Sequence, residues 1–255
     1  MKDTPSGLIA VERTVRVLKA IDGTADGDLP HLAEVARRAA LNEATTLRYL
    51  TTLAGLGFVE KVDGRRYRLG WEVLRLGQRA RLDQVPSGAI RPVMQELVAE
   101  YNETVNFAVR RDDAVVLIEV VEPNRAVKKV SDIGQVDSWH ATALGKALMS
   151  TLPDDAWRQL LGSEPLERFT PRTLTRLDEV AEEIAQARTD GFAIDHEEAD
   201  EDLTCIAAAI PEPSGGPADY ALSISFLTHR LDAETIGQVG ARLRAAADDI
   251  AARLH

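Results

Sequence analysis

Residues 32–69, LAEVARRAALNEATTLRYLTTLAGLGFVEKVDGRRYRL, set two short helical patterns, a tight turn and an Arg-rich hairpin one after another. That order and spacing is the pattern of a winged helix-turn-helix. The first helix carries Leu32, Val35, Ala36 and Ala39, an i, i+3, i+4, i+7 apolar stripe, and the pattern ends near Ala40. Asn42 is an N-cap type, and it precedes a second stripe of Ala44, Leu47, Leu50, Leu53 and Ala54 that stops at Gly55 or Gly57. On the other face of this second helix Thr45, Tyr49 and Thr52 stack at i, i+4, i+7, with Thr46 and Arg48 at the flank. Such short hydrogen-bonding side chains match base edges in a major groove. Residues 58–62 and 67–69 predict two strands joined by Asp63-Gly64, a strong hairpin signal. Arg65, Arg66 and Arg68 cluster at this wing, where forked, permanently charged guanidinium groups suit phosphate oxygens. The same pattern also builds protein-binding modules, and an Arg run beside a turn also serves as a solvated edge.

A chain of 255 residues predicts about two domains at roughly 150 residues each. Hydrophobic residues at 45% and charged residues at 28% describe a folded globular chain and not a disordered one. No apolar run approaches the ~18 residues of a membrane span, and the MKDTP start has no signal-peptide core, so a cytoplasmic protein is expected. The single Cys205 excludes an internal disulfide and any paired-Cys zinc site.

The net charge of −11 is unevenly spread. Residues 1–84 hold 14 Lys and Arg against 11 Asp and Glu, a net of +3, while the other 171 hold 16 against 30, a net of −14. This is consistent with a small DNA-facing domain joined to an acidic body, whose field confines contact to one face.

Before the helix-turn-helix, Val11, Val15, Leu18 and Ile21 mark an opening helix, and residues 22–28 a loop. After the wing, residues 71–82 predict a connector helix ended by Pro86-Ser87-Gly88. A helix with Ile90, Val93, Met94, Leu97, Val98 and Tyr101 opens the second domain. Val105, Phe107 and Val109 then alternate along a strand, Asp112-Asp113 turns the chain, and residues 114–121 return antiparallel. Further strands are expected at 126–130, 192–195, 203–210 and 220–226, and helices at 142–152, 154–161, 176–190 and 232–254. The fold class is therefore α+β, with helices flanking a mostly antiparallel sheet.

In residues 220–226, Leu222, Ile224 and Phe226 share one side, and Ala221, Ser223 and Ser225 the other. Leu203, Cys205 and Ala207 share a face of the neighbouring strand, and Asp195 closes the one before. Ala143, Leu144 and Gly145, at a helix start, could turn backbone N–H groups toward an anion. Together these residues could line a pocket for a small carboxylate or polar metabolite; as ordinary core they would need no ligand. The competing chemistry is a metal-binding regulator or a small-molecule enzyme using His140, Asp195 and Cys205. Asp195, His196, Glu197 and Glu198 are consecutive, so they alternate faces, and most of this run is expected in a solvated loop. No HExxH, GxSxG, P-loop or other cofactor or catalytic motif is present.

These residues as a set resemble the IclR family of bacterial transcriptional regulators. The resemblance rests on Leu32-Ala33-Glu34-Val35-Ala36-Arg37, Thr45 through Arg48 to Leu53, Gly57-Phe58-Val59 and Tyr67-Arg68-Leu69-Gly70. In the second half it rests on the run from His140 to Leu148, HATALGKAL, and on Gly191-Phe192-Ala193-Ile194-Asp195 with Glu197-Glu198. Cys205-Ile206-Ala207-Ala208 and Leu222-Ser223-Ile224-Ser225 complete it, over residues 8–254.

The resemblance implies a winged helix-turn-helix DNA-binding domain (1–70), a linker helix (71–86) and a GAF-like effector-binding domain (87–255). It implies a homodimer through the N-terminal domains, paired further into a tetramer, that represses or activates a catabolic operon from a palindromic double-stranded operator. The effector pocket would use Ala143, Leu144, Asp195, Leu203, Cys205, Ser223 and Ser225; Arg48 stands where the family keeps a recognition-helix arginine. Two departures stand out: His31 at a helix start where Ser or Thr is usual, and Asn42-Glu43-Ala44 in place of a more basic or hydroxyl-bearing entry.

Overall fold

The computed structural model describes residues 8–22, 29–84, 86–111 and 113–254, with backbone alone over 81–84. The MKDTP start, most of the expected loop at 22–28 and the turn residue Asp112 lie outside the described residues. The chain divides into two compact units, residues 1–84 and 85–255.

The first unit packs α1 (Ile9–Asp22), α2 (Leu32–Ala39) and α3 (Glu43–Gly55) over the hairpin β1 (Val59–Val62) and β2 (Arg66–Leu69), and α4 (Trp71–Gln84) follows. Ala40 takes a left-handed conformation that ends α2, and its carbonyl accepts from the Arg16 guanidinium of α1 at 2.9 Å. Two residues later Asn42 caps α3, its side-chain oxygen accepting the Thr45 N–H at 2.8 Å. The core joins Val17, Ala20 and Ile21 of α1 to Val35, Ala39, Leu50, Leu53, Val59 and Tyr67. At the hairpin tip Asp63 and Gly64 both have positive φ, and Arg65 N–H bonds the Val62 carbonyl. Two positive φ values in succession match the right-handed twist of paired strands.

The buried stripe of α3 is turned by one helical step from the expected one. Thr46, Leu50 and Leu53 face the core, whereas Ala44, Leu47 and Ala54 are exposed. Counting apolar residues overlooked that Thr46 satisfies its own hydroxyl locally, donating to the Asn42 carbonyl at 3.0 Å, and so can be buried. On α1, likewise, Val11 and Val15 are exposed, and the core takes Val17 and Ala20.

The second unit is a six-stranded antiparallel sheet in the order β5-β4-β3-β8-β7-β6. Its strands are β3 (Thr104–Arg111), β4 (Ala114–Val121), β5 (Val136–Asp137), β6 (Ala193–His196), β7 (Leu203–Ala209) and β8 (Tyr220–Leu227). On one face α5 (Ser87–Tyr101) and α9 (Ala233–Leu254) bury Phe107, Ile206, Leu222, Ile224 and Phe226. On the other, α6 (Ala143–Ser150), α7 (Asp154–Leu161) and α8 (Leu177–Asp190) cover Leu117, Ala193, Ala207 and Ala221. The small residues of that second face leave a gap between the sheet and α6.

Residues 126–130 form no strand. Ion pairs from Lys128 to Glu122 and from Lys129 to Asp200, with the Lys129 carbonyl accepting from Thr104 Oγ1, hold this segment as an irregular loop, and the short β5 pairs with β4 in its place.

Candidate functional site

In the first unit the exposed side of α3 presents Glu43, Ala44, Leu47, Arg48, Thr51 and Thr52. Thr45, Arg48, Tyr49 and Thr52 line one groove of about 480 Å³ with Arg13 and Thr14 of α1. The structure therefore brings Thr45, Arg48 and Tyr49 together. It removes Thr46, which is 0% exposed and has no route to a nucleic acid. Asn42 is exposed, but its side-chain oxygen serves as the cap.

At the wing, Arg65 is exposed, and the backbone of Arg66 bridges to His31, which caps nothing with its side chain. Arg68 faces Glu60 across the hairpin and donates twice to its carboxylate, at 2.6 and 2.8 Å. Its charge is compensated within the protein, which sets it apart from Arg65.

In the second unit a cavity of about 70 Å³ lies between the sheet and the start of α6. Ala143, Leu144, Asp195, Cys205, Ser223 and Ser225 all line it. Leu203 does not: it sits half-buried at the start of β7, paired with Leu227, one pleat beyond Cys205. Asn106, Lys129, Asp137, Thr142 and Asp200 complete much of the remaining wall.

The sequence positions the α6 start closely. Thr142 Oγ1 caps the helix by accepting the Gly145 N–H at 3.1 Å, so that donor is spent. The N–H groups of Ala143 and Leu144, in the first turn, have no intrahelical acceptor and belong to residues on the cavity wall. Gly145 permits the approach, because a Cβ there would stand 2.3 Å from the Trp139 carbonyl oxygen.

Asp195 and Glu198 are both buried, so the acidic run is no solvated loop. Asp195 Oδ1 accepts the Glu198 N–H at 2.7 Å, and burial pushes its carboxyl up to about 7. Lys146, fully buried, donates to Glu198 at 2.6 Å and to Glu183 at 3.3 Å. Burial pushes Glu198 up as well, against the pull of Lys146.

Burial pushes the Cys205 thiol well above its ordinary range, and it donates to Ser225 Oγ at 3.3 Å. A thiol held protonated in this way is a poor nucleophile. His140 stands apart from Asp195 and Cys205, lining an outer cleft of about 650 Å³ with Trp139, Glu167 and Phe169. Its ring nitrogens are engaged by Ser138 Oγ at 3.1 Å and by the Glu167 carbonyl at 2.8 Å. His196 is exposed. The three residues of the enzyme or metal reading are thus not gathered, and no group of three potential ligands stands together among the described residues.

Asn106 and Lys129 carry no site motif in the sequence, and the buried pairing of Lys146 with Glu198 carries none either. A polar residue between Val105 and Phe107 on a strand was the one signal available for Asn106. Nothing in its spacing marks Lys146 as buried.

A helix-turn-helix unit with an arginine-bearing wing defines a DNA-binding transcription regulator by class. Comparison with known proteins gives the family. The description "Bacterial transcriptional regulator IclR C-terminal" matches residues 87–252 and "IclR helix-turn-helix domain" matches residues 10–63. The chain belongs to the IclR family of bacterial transcriptional regulators, which bind DNA operators and small-molecule effectors and are not enzymes.

Among curated relatives, the HTH-type transcriptional regulator KdgR of Escherichia coli is 30% identical over 226 residues, covering 88% of this chain and 85% of its own. Transcriptional repressor IclR of the same organism is 29% identical over 244 residues, covering 94% and 89%. The repressor AllR of Salmonella typhimurium is 30% identical, covering 97% and 90%. Among solved structures, an IclR regulator from Alicyclobacillus acidocaldarius superposes with a TM-score of 0.82 at 25% identity, covering 96% of this chain and 98% of that one. An IclR homolog from Microbacterium hydrocarbonoxydans, complexed with 4-hydroxybenzoate, gives 0.79 at 25% identity with the same coverage.

Proposed function

We propose that this regulator is a repressor of a catabolic operon, whose affinity for a palindromic operator changes when a small organic acid enters the cavity beneath α6. The observation that carries this reading is the convergence there of the Ala143 and Leu144 backbone donors with Ser223, Ser225 and Asp195. Backbone donors at a helix start, with hydroxyl groups beside them, form an anion-binding arrangement. A ligand shifts DNA affinity only if it binds one arrangement of the protein better than another, so its effect equals its differential affinity.

In the DNA-binding unit Arg48 is the exposed charged donor of the α3 face, Thr45, Tyr49 and Thr52 edge the groove, and Arg65 and Arg66 supply phosphate contacts from the wing. The working form is a homodimer that pairs into a tetramer. Supporting the dimer, Leu8, Val11 and Val15 form an exposed apolar stripe on the α1 side of that unit, and Trp71 and Leu74 are exposed on α4. A DNA-reading protein of this kind works in the cytoplasm; among the described residues no helix is long and apolar enough to cross a membrane.

The test is operator binding by the full chain with pyruvate, glyoxylate, lactate and 4-hydroxybenzoate added in turn. At least one acid should change the operator Kd severalfold in wild type and leave it unchanged in Ser223→Ala and Asp195→Ala, whose ligand-free affinity stays as before. An acid that acts equally on wild type and on both variants would sink the pocket assignment.

A further inference from the structure

Asn106 sits on β3 between Val105 and Phe107, which both face the α5 and α9 core, so its side chain goes to the opposite side of the sheet, toward α6. There it pairs in register with Ser223 and forms part of the cavity wall. It is 4% exposed. Its Nδ2 donates to Ser225 Oγ at 3.2 Å, and Cys205 Sγ donates to the same oxygen at 3.3 Å. With the amide nitrogen committed, Asn106 Oδ1 is left buried and without a hydrogen-bond partner among the described residues.

A buried carbonyl oxygen with nothing to accept from is costly, since its bond to water is lost and not replaced. No donor among the described residues reaches it, so the missing partner is one that arrives from outside. The terminal torsion of an Asn side chain is broad, and a modest rotation turns Oδ1 further toward the cavity. The rest of the site is rich in donors: the Ala143 and Leu144 N–H groups and the Ser223 and Ser225 hydroxyls suit a carboxylate. Asn106 Oδ1 is a neutral acceptor on the same wall as the carboxyl groups of Asp137, Asp195 and Asp200, and being unpartnered it demands a donor on the ligand. A cavity of about 70 Å³ restricts the ligand to a small molecule.

We infer that Asn106 is a specificity-determining residue that accepts a hydroxyl proton from the effector, and that the effector is a small hydroxylated carboxylic acid about the size of lactate. The inference rests on the effector reading of the cavity and goes further by assigning the residue that reads the hydroxyl. A site built to bond a hydroxyl rejects the analogue that lacks it, because the protein's own buried polar atom is then left unpaired.

The test is calorimetric titration of the full chain with acid pairs that differ by one hydroxyl, L-lactate against propionate and 3-hydroxybutyrate against butyrate. Wild type should bind the hydroxylated member at least about tenfold more tightly. Asn106→Leu and Asn106→Ala, checked by thermal melting and operator binding, should reduce that ratio to within about threefold by loss on the hydroxylated side. Asn106→Asp, which keeps an acceptor oxygen, should retain the preference. Equal binding of both members by wild type, or a preference that survives in the Leu or Ala variant, would overturn the role of Asn106 and leave the effector reading standing. Wild type that binds none of these acids, nor pyruvate or 4-hydroxybenzoate, at millimolar concentration would overturn both.

Discussion

Lys146 Nζ lies 2.6 Å from Glu198 Oε1 in the interior of the second unit, an ammonium with no exposed surface against a carboxylate that is itself nearly closed off. The pair ties the start of the second turn of α6, four residues after the Thr142 cap, to the segment that follows β6. It therefore fixes the α6 start relative to Asp195, three residues before Glu198, and so sets the width of the cavity.

Removing one partner of that pair leaves the other charge buried without compensation. Lys146→Met and Glu198→Gln should each destabilise the second unit by roughly 3–5 kcal/mol, and Lys146→Met with Glu198→Leu should cost much less than the sum. Urea unfolding of the three variants measures this. Glu183, 3.3 Å from Lys146 and partly exposed, is the weaker partner, and Glu183→Gln should cost under about 1 kcal/mol.

Asp195 carries the pH dependence. Burial raises its carboxyl to about 7 from an ordinary 3.8, so between those values the folded state holds a proton that the unfolded chain has lost. Its contribution is unchanged below the unfolded value and grows more unfavourable to folding as pH rises toward 7. The hydrogen bond from the Glu198 N–H and the charge of Lys146 oppose the shift, and the Glu198 carboxylate adds to it. Unfolding free energies of wild type and Asp195→Asn, compared at pH 4.5 and 7.5, should shift in favour of the variant by a few kcal/mol at the higher pH. An acidic ligand should also bind wild type more weakly above pH 7, where Asp195 is charged.

Gly145 is required by space. Its absent Cβ would meet the Trp139 and Ser138 carbonyl oxygens at 2.3 and 2.6 Å, both backbone atoms. Gly145→Ala should either lower stability by more than about 3 kcal/mol or push the α6 start outward and remove ligand binding, while Gly134→Ala serves as a control with open space around it. Gly134 has positive φ, so that control carries only the strain of an Ala in this conformation.

The two wing arginines should behave differently. Arg65→Ala should flatten the salt dependence of DNA affinity by about one unit of slope and weaken all sequences alike. Arg68→Ala should do less, because Glu60 already holds that guanidinium. Arg48→Ala should cost specific binding about 1–3 kcal/mol, and Thr46→Val, buried on the opposite side of α3, should leave DNA affinity unchanged. Anisotropy titrations on operator and scrambled DNA over a salt series separate these outcomes.

Periodic segments were the legible part of the chain. Helices α6 to α9 and strands β3, β4 and β6 to β8 stand within two residues of where apolar spacing predicts them, because long amphipathic patterns leave little choice of face, whereas α5 starts at Ser87, inside the expected break and three residues before its first apolar position Ile90. Residues 126–130 misled through their apolar content: ion pairs from Lys128 and Lys129 hold them off the sheet, and the two residues of β5 are too few to form a pattern. On α3, Thr46 and Leu47 exchange places by one helical step, since a hydroxyl that bonds the preceding turn can be buried and an apolar side chain can be exposed.

At the cavity beneath α6, the alternation along β8 puts Ser223 and Ser225 on one face, and both line the cavity wall. It could not show that Leu203 falls one pleat short. Lys146 and Glu198 are far apart in the chain, and their pairing depends on how α6 lies against the end of β6. Asn106 was hidden for the same reason, its partners Ser225 and Cys205 lying on two other strands.

Fluorescence anisotropy of the purified chain with DNA from its own upstream region, against scrambled competitor and over a salt series, is the decisive measurement for a sequence-specific regulator whose DNA affinity is set by a small acid. Saturable binding that resists competitor and changes severalfold on addition of a hydroxylated acid is expected. Weak binding that scrambled DNA competes away completely would refute that role.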